Sequence, residues 1–176
     1  MLNRGAIPVI ILANLLTLTS CSTTSDSPEG SGYFFQSYSS RLPQTIETKE
    51  QTIVVDPNVH AWGAYDNEGN LVKAGQATAG NDWCPDTNRT CKTSAGRFRI
   101  QSLGAADCKS SMYPLPKGGA PMPYCMFFNG HQGLHGSNEV VEANVSHGCV
   151  RLHEADAEWI RYDFARIGTR VIVVPY

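Results

Sequence analysis

Residues 133–137 read GLHGS and residues 146–152 read SHGCVRL, with eight residues between the two segments. Residues two apart on an extended strand share a face, so His147 would lie beside Cys149, although Gly148 also permits a sharp bend. His135 would have to reach the same place from a neighbouring strand. A cysteine is a good nucleophile only as the thiolate, which a nearby imidazole produces by taking the thiol proton. The two segments therefore predict a nucleophilic Cys149 served by histidine, with the backbone N–H groups of Gly148 and Cys149 as candidate oxyanion donors.

Short strand candidates extend outward from these segments. Thr52 to Val55 is rich in β-branched residues, and residues 60–65 and 71–75 flank a glycine-containing turn, a pattern typical of a β-hairpin. Residues 97–100 alternate polar and apolar side chains, as a half-buried strand does. The remaining candidates are Cys125 to Phe128, Gly133 to His135 and Arg170 to Val174. The pattern predicts a mainly β domain, either a β-sandwich or a partial barrel.

One helix is predicted just before the last strand. Its apolar residues fall on one face at helical spacing, with Gly168 at the position of a C-terminal cap. They are Leu152, Ala155, Trp159, Ile160, Phe164 and Ile167. Residues 105–124 carry four prolines and two adjacent glycines, which predicts a long loop. This loop is either a lid over a substrate or ordinary packing, and the sequence leaves both readings open.

The first 20 residues are predicted to be an export signal. Arg4 precedes an apolar run from Ala6 to Leu18. This run is shorter than a membrane-spanning helix, which needs about 20 apolar residues. The segment ends in Leu-Thr-Ser-Cys and resembles a bacterial lipobox, which implies lipidation of Cys21; the alternative is an ordinary signal with a chance cysteine. Residues 21–50 are then a lipidated cysteine and a flexible tether, and residues 51–176 are one domain. We expect a protein anchored to a membrane in the periplasm, and Ser22 favours the outer membrane of a Gram-negative cell.

The charge balance argues against a nucleic-acid partner. The chain carries 14 Lys and Arg against 16 Asp and Glu, a formal charge of −2, and loss of Arg4 with the signal makes this −3. Nucleic-acid binding needs concentrated positive charge, which is missing here. We expect a monomer with no cofactor.

Six cysteines need an account in an exported chain, where disulfides persist. With Cys21 lipidated and Cys149 a working thiol, four remain, and four cysteines allow three pairings. We favour Cys84–Cys91 and Cys108–Cys125, since each pair brackets a loop rich in turn-forming residues.

The segments quoted first resemble the signature of the L,D-transpeptidase (YkuD-like) catalytic domain. The similarity runs from about Ile53 to Tyr176 and includes Thr93-Ser94-Ala95-Gly96-Arg97-Phe98, where Ser94 replaces the family's usual proline. The chain also resembles small cysteine-rich lipoproteins of the enhanced-entry type. The resemblance implies that peptidoglycan stem peptides are the substrate. The enzyme would attack the carbonyl of the third residue of a tetrapeptide stem, release D-alanine and pass the acyl group to an amine or to water.

The resemblance also implies a role for each matching residue. Cys149 is the nucleophile and His135 the general base, oriented by the carbonyl of Gly136. His147 lines the site, and Gly148 offers an oxyanion N–H. Ser146 and Arg151 contact the substrate, and Arg151 engages a stem-peptide carboxylate.

Two alternatives to this enzyme stay open. The first is a lipid-anchored module that binds the wall or faces a host and has lost turnover. The second is a zinc site built from His131, His135, His147 and Cys149, which are ligand types that zinc prefers. Against zinc, Gly130, Gly133 and Gly136 oppose the helix that the spacing of His131 and His135 would need, so the site assignment contains no metal.

Overall fold

The computed structural model describes residues 38–176, which contain nine β-strands in one mixed sheet. The strands are β1 (Thr52–Asp56), β2 (Ala61–Tyr65), β3 (Leu71–Thr78), β4 (Gly96–Arg99), β5 (Ser102–Leu103), β6 (Met126–Asn129), β7 (Gln132–Gly136), β8 (Val150–Leu152) and β9 (Arg170–Val173). Their order across the sheet is β4-β9-β1-β2-β3-β8-β7-β6-β5. The pairs β1/β9 and β7/β8 are parallel, and the other neighbours are antiparallel. The predicted mainly β domain is confirmed, whereas β5 and β8 had not been anticipated.

The predicted hairpin is present as β2 and β3. Asp66 shapes its turn, because its Oδ1 accepts the N–H groups of Glu68 at 3.0 Å and Asn70 at 2.8 Å. Gly69 completes the turn with φ +85°, and a Cβ there would lie 2.0 Å from the carbonyl oxygen of Ile46. A residue with a side chain therefore does not fit at position 69.

The sheet curls until its two ends meet. The end strands β4 and β5 are consecutive in sequence and are separated only by Ile100 and Gln101. The N–H of Ile100 donates to Thr169 beside β9, and that of Gln101 donates to Phe127 on β6. The rings of Phe98 and Phe128 then pack 5.4 Å apart across the closure. Of the two expected architectures, the partial barrel is the one observed.

The helix predicted before the last strand is confirmed, but it is shorter than expected. Helix α1 (Glu154–Trp159) continues into a π-helical turn (Ile160–Phe164), and the backbone turns extended at Ala165. Ile160 and Phe164 are buried against the sheet, whereas Ile167 is 70% exposed. Ala155 is exposed as well. The predictions that Ala155 and Ile167 join the buried face and that Gly168 caps the helix are therefore wrong. Gly168, with φ +92°, instead lies in the turn that leads into β9.

Residues 38–50 pack against the domain. Tyr38 and Leu42, 6% and 5% exposed, form a second apolar cluster with Ala61 and Ala74. Two backbone hydrogen bonds, both 2.9 Å, join Gln44 and Ile46 to the start of β3 and to its turn. This part of the expected 21–50 tether is thus docked on the hairpin.

The predicted signal, residues 1–20, and the predicted lipidation site Cys21 lie outside the described residues, as does the tether up to residue 37. Within residues 38–176, no helix has the length and apolar character needed to cross a membrane.

Candidate active site

Two disulfides frame a cleft on one side of the sheet. Cys84 pairs with Cys91 and Cys108 with Cys125, with Cα–Cα distances of 5.9 and 6.1 Å. The favoured pairing is therefore confirmed. Cys149 is the free cysteine among residues 38–176.

The parallel pairing of β7 with β8 places Cys149 and His135 on the same side of the sheet. Leu134 pairs with Val150 and His135 with Arg151. Leu134 and Val150 are fully buried in the core, so the alternating residues His135 and Arg151 point to the opposite face. Cys149, two residues before Arg151, continues that face, and its thiol donates to the carbonyl of His131 at 3.3 Å.

A cavity of about 900 Å³ opens over this face. It collects most of the predicted site residues in its wall. These are His135, Gly136, Ser146, His147, Cys149 and Arg151. Tyr113 and Met122 of the long loop also line it, whereas Pro114 and Tyr124 do not. Part of the 105–124 loop therefore covers the cleft.

His135 is held as a neutral base. Its side chain is 6% exposed, and its Nδ1 lies 2.9 Å from the carbonyl oxygen of Gly136. Since a carbonyl only accepts hydrogen bonds, Nδ1 carries the proton and Nε2 is left without one. Burial, with a smaller contribution from the positive charge of Arg151, lowers the pKa of His135 from 6.5 to about 4.

Cys149 is held as a neutral thiol. Burial raises the pKa of Cys149 above its usual 9.0, against smaller opposing effects from the Gly133 backbone and the Arg151 charge. Near neutral pH the protein without substrate therefore contains a thiol and an unprotonated imidazole, and no thiolate–imidazolium pair. A neutral thiol and a neutral imidazole allow the proton to pass from sulfur to nitrogen when the thiol attacks a carbonyl.

The turn that presents Cys149 is fixed by Ser146 and Thr93. Ser146 is buried; its Oγ accepts the N–H of Gly148 at 3.1 Å and donates to the carbonyl of Cys149. Thr93 is also buried, accepts the N–H of Gly80 at 3.0 Å and donates to the carbonyl of Gly148 at 2.9 Å. Gly148 adopts φ +118°, which a side chain disfavours.

These contacts change two expectations. The N–H of Gly148, expected to serve as an oxyanion donor, already has an acceptor in Ser146. Ser146, expected to contact substrate, uses its hydroxyl within the turn instead. The reason is that Gly148 folds the segment back on itself, so that the Ser146 hydroxyl closes the turn even though the residue lines the cavity.

His147 and Arg151 both have partners from distant loops. The Nε2 of His147 lies 2.8 Å from Asp86 Oδ2, and its ring packs 4.5 Å from that of Tyr113, measured between centroids. Arg151 pairs with Glu139 at 3.0 Å. His147 thus links the Cys149 turn to both disulfide-bounded loops.

The predicted zinc set does not assemble. Within residues 38–176, the group of metal-ligand atoms lying within 4.8 Å of one another is Cys84, Cys91 and His147, and its two sulfurs form a disulfide. His131 meets Cys149 through its backbone carbonyl, not its ring. The geometry gives no support to a zinc site at His131, His135, His147 and Cys149.

Some site residues gave no usable signal in the sequence. Gln132 accepts the N–H of Ser94 at 3.0 Å and donates to the carbonyl of Lys92 at 3.0 Å, which ties β7 to the segment before β4. Asp86 meets His147 across 61 positions of chain. Neither contact follows from local spacing, so only the folded chain reveals it.

Comparison with known proteins gives a consistent result. The model of the L,D-transpeptidase catalytic domain (YkuD) matches residues 50–173. An L,D-transpeptidase from Xylanimonas cellulosilytica is similar at 24% identity and a TM-score of 0.64, over 75% of this chain and 64% of that one. One from Mycobacterium smegmatis is similar at 24% and 0.58, over 72% and 59%. L,D-transpeptidase 3 from Mycobacterium tuberculosis, solved with a faropenem-derived adduct, is similar at 21% and 0.57, over 71% and 60%.

The similarity to these three structures, at such low identity, establishes the fold. The chain spans between 59% and 64% of their length. No significantly similar sequence was found among curated proteins.

Proposed function

Since the chain belongs to the L,D-transpeptidase (YkuD) catalytic domain family, we propose that it is a peptidoglycan L,D-transpeptidase whose nucleophile is Cys149. The observation that carries the proposal is the neutral His135, with Nδ1 on the Gly136 carbonyl, in the same cavity as the free Cys149 thiol. A positioned base and an attackable thiol are what acyl transfer requires.

The first half of the reaction forms an acyl-enzyme. Cys149 Sγ attacks the carbonyl carbon of the third stem residue while Nε2 of His135 takes the thiol proton. The resulting imidazolium then gives this proton to the departing amine of D-alanine, and a thioester remains on Cys149. The hydrogen bond to Gly136 stabilises the imidazolium that forms in between, as a carboxylate does in a protease triad.

The second half returns the enzyme. An acceptor amine attacks the thioester and gives a proton to His135. The thiolate of Cys149 then leaves and takes that proton back from His135. The product is a 3→3 crosslink, an attached protein or an exchanged D-amino acid; water as acceptor gives carboxypeptidase activity. We assign oxyanion stabilisation to the N–H of Cys149, because that of Gly148 is already bonded to Ser146.

The remaining residues position the substrate and the site. Ser146 holds the turn, and His147 fixes it to the neighbouring loops. Arg151 faces the cleft, where its positive charge stabilises substrate oxygens. We further propose that the N-terminus is exported and lipidated on Cys21, which places the domain in the periplasm as a monomer beside its peptidoglycan substrate.

Intact-mass spectrometry of the full chain after incubation with a carbapenem tests the nucleophile. We expect one covalent adduct in the wild type and none in Cys149→Ala. His135→Ala should slow adduct formation by about 10²–10⁴, since it removes the base. An adduct that persists in Cys149→Ala would refute the assignment of the nucleophile.

Turnover distinguishes the enzyme from a module that binds the wall without reaction. Tetrapeptide stems with an amine acceptor should release D-alanine in the wild type and not in Cys149→Ala. Binding of stems without release of D-alanine would favour the inactive module.

A further inference from the structure

Arg89 lies at the rim of the catalytic cavity on the loop closed by Cys84 and Cys91. The backbone of Arg89 is fixed within this loop, because the N–H of Cys84 donates to the Arg89 carbonyl at 2.9 Å. Its guanidinium Nη2 donates to the hydroxyl of Tyr113 at 3.1 Å and lies 3.7 Å from the sulfur of Met112. Arg89 therefore connects the two disulfide-bounded loops over the cleft.

Tyr113 also links Arg89 to the Cys149 turn. The Tyr113 ring packs against that of His147, which is two residues before Cys149. His147 in turn bonds Asp86, which belongs to the same loop as Arg89. These contacts form a chain of side chains from Arg89 through Tyr113 and His147 to Asp86, and the backbone of the loop closed by Cys84 and Cys91 joins its two ends.

Arg89 differs from the other cations of the cavity wall in its partners. Arg151 pairs with Glu139, and Lys92 pairs with Asp82 and the carbonyl of Tyr176. Within residues 38–176, the guanidinium of Arg89 has the neutral partners named above and no carboxylate within ion-pair distance. Lys109, on the other disulfide-bounded loop, is a second cation of the wall that has no carboxylate partner in the described part of the chain.

We propose that Arg89 binds the C-terminal carboxylate of the donor stem peptide and so selects donors that end in a free acid. This inference rests on the proposed function. The planar guanidinium forks onto both oxygens of a carboxylate, while Tyr113 holds it in place from the other side. Arg151, two residues after Cys149, already has a carboxylate partner in Glu139. Arg89 is thus the specificity-determining cation of the cleft.

Peptide binding tests the assignment separately from turnover. The full chain carrying Cys149→Ala is titrated by calorimetry with three forms of one probe, an acetylated tetrapeptide stem with diaminopimelate at position three. The forms are the free acid, its C-terminal amide and its diaminopimelate side-chain amide. We expect the free acid to bind about tenfold more tightly than the C-terminal amide, in line with a hydrogen-bonded charge at an exposed rim.

Adding Arg89→Gln should abolish this preference by weakening the free acid about tenfold while leaving the C-terminal amide unchanged. The unchanged amide affinity also shows that the cavity is folded. Arg89→Lys should retain part of the preference, since it keeps the charge and loses the fork. Arg97→Gln, an exposed arginine on β4 outside the cavity wall, is the matched control and should keep all of it.

Two results with Arg89 intact would overturn the assignment: equal binding of the free acid and the C-terminal amide, or a loss of affinity that comes from amidating the diaminopimelate side chain instead. Two results with variants would do the same: a preference for the free acid that survives Arg89→Gln, or one that is lost in Lys109→Gln instead.

Release of D-alanine by the wild type is measured in parallel. If it occurs while the binding preference is absent, only the role of Arg89 fails. If neither D-alanine from the free acid nor D-alaninamide from the amide is released although the preference is present, only the proposed function fails.

Discussion

Burial shifts the pKa values of His135 and Cys149 in opposite directions, and both shifts favour the neutral form of the side chain. Loss of hydration disfavours the imidazolium, so the pKa of His135 falls to about 4, and it disfavours the thiolate, so the pKa of Cys149 rises. The substrate-free site is therefore built for proton transfer during attack rather than for a preformed ion pair.

Alkylation of Cys149 by iodoacetamide tests this neutral pair. Because only the thiolate reacts and its pKa lies above 9.0, the rate should rise about tenfold per pH unit from pH 6 to pH 9 without a plateau. Stopped-flow or mass measurements of the alkylation rate give the profile. A plateau near neutral pH would indicate a thiolate paired with imidazolium and would contradict the neutral resting state.

His135 should also make the protein sensitive to acid. Its pKa is about 4 in the folded chain against 6.5 for the free side chain, so the unfolded chain binds more protons between these values. The contribution of His135 to the free energy of unfolding should therefore be fully present above pH 6.5. It should be lost as the pH drops toward 4, which lowers the free energy of unfolding by on the order of 3 kcal/mol. Urea unfolding at a series of pH values measures this.

His135→Gln should remove this part of the pH dependence. His153→Gln is the matched control, because His153 is exposed and bonds Gln76 on the surface; it should keep the wild-type profile. An unchanged acid response in His135→Gln would mean that another group is responsible.

At the scale of elements, the short strands β7 and β8 and the turn before β8 form the framework of the proposed active site. Strand alternation alone gives the side chains of His135 and Arg151 a common face, and the parallel register then brings Cys149 to it. The turn is not held by the sheet but by Ser146 and by Thr93, which comes from the segment before β4. A buried threonine outside the motif is thus part of how the nucleophile is presented.

Thr93→Val tests that contribution with little change of shape. It leaves the N–H of Gly80 and the carbonyl of Gly148 without their partner, which should cost about 1–3 kcal/mol of unfolding free energy. The alkylation rate of Cys149 should change as well, because its turn loses a support. Thr90→Val, at an exposed position in the same segment, serves as control. Equal stability of the two variants would show that Thr93 does not hold the turn.

At the scale of the whole molecule, the domain begins earlier than its sequence pattern suggests. Residues 38–50 add a small apolar cluster on the hairpin and form backbone hydrogen bonds to its turn. The sheet is curled by the short β4–β5 connection, and the two disulfides hold the loops that wall the cleft. The cleft therefore depends on contacts spread over most of the described chain.

Leu42→Ala tests whether the N-terminal segment stabilises the domain. Leu42 is 5% exposed and its truncation leaves a cavity, so unfolding should require about 2–4 kcal/mol less. Leu115→Ala, 51% exposed, should change stability by less than about 0.5 kcal/mol. Chemical denaturation of both variants decides the matter: equal stabilities would mean that residues 38–50 do not belong to the cooperative unit.

Much of the fold was predictable because strands and helices follow local periodicity. The β-branched run at Thr52, the hairpin around Gly69 and the apolar helix face with Ile160 and Phe164 depend on neighbours a few residues away. The strands β5 and β8 were missed, since they are two and three residues long and form only where a partner strand is available. Ile167 was misplaced because the chain leaves the helix at Ala165 to enter β9.

The sequence by itself determined the family through its histidine and cysteine motif and the mainly β class, and it favoured the cysteine pairing that the structure confirms. Only the tertiary structure decided that Gly148 uses its N–H within the turn, that Thr93 supports it and that Arg89 stands at the cleft with no carboxylate partner from residues 38–176. Motifs and periodicity are recorded in neighbouring residues. Burial, charge pairing and hydrogen-bond satisfaction depend on residues far apart in the chain, as Thr93 and Gly148 are at 55 positions, and exist only once the chain has folded.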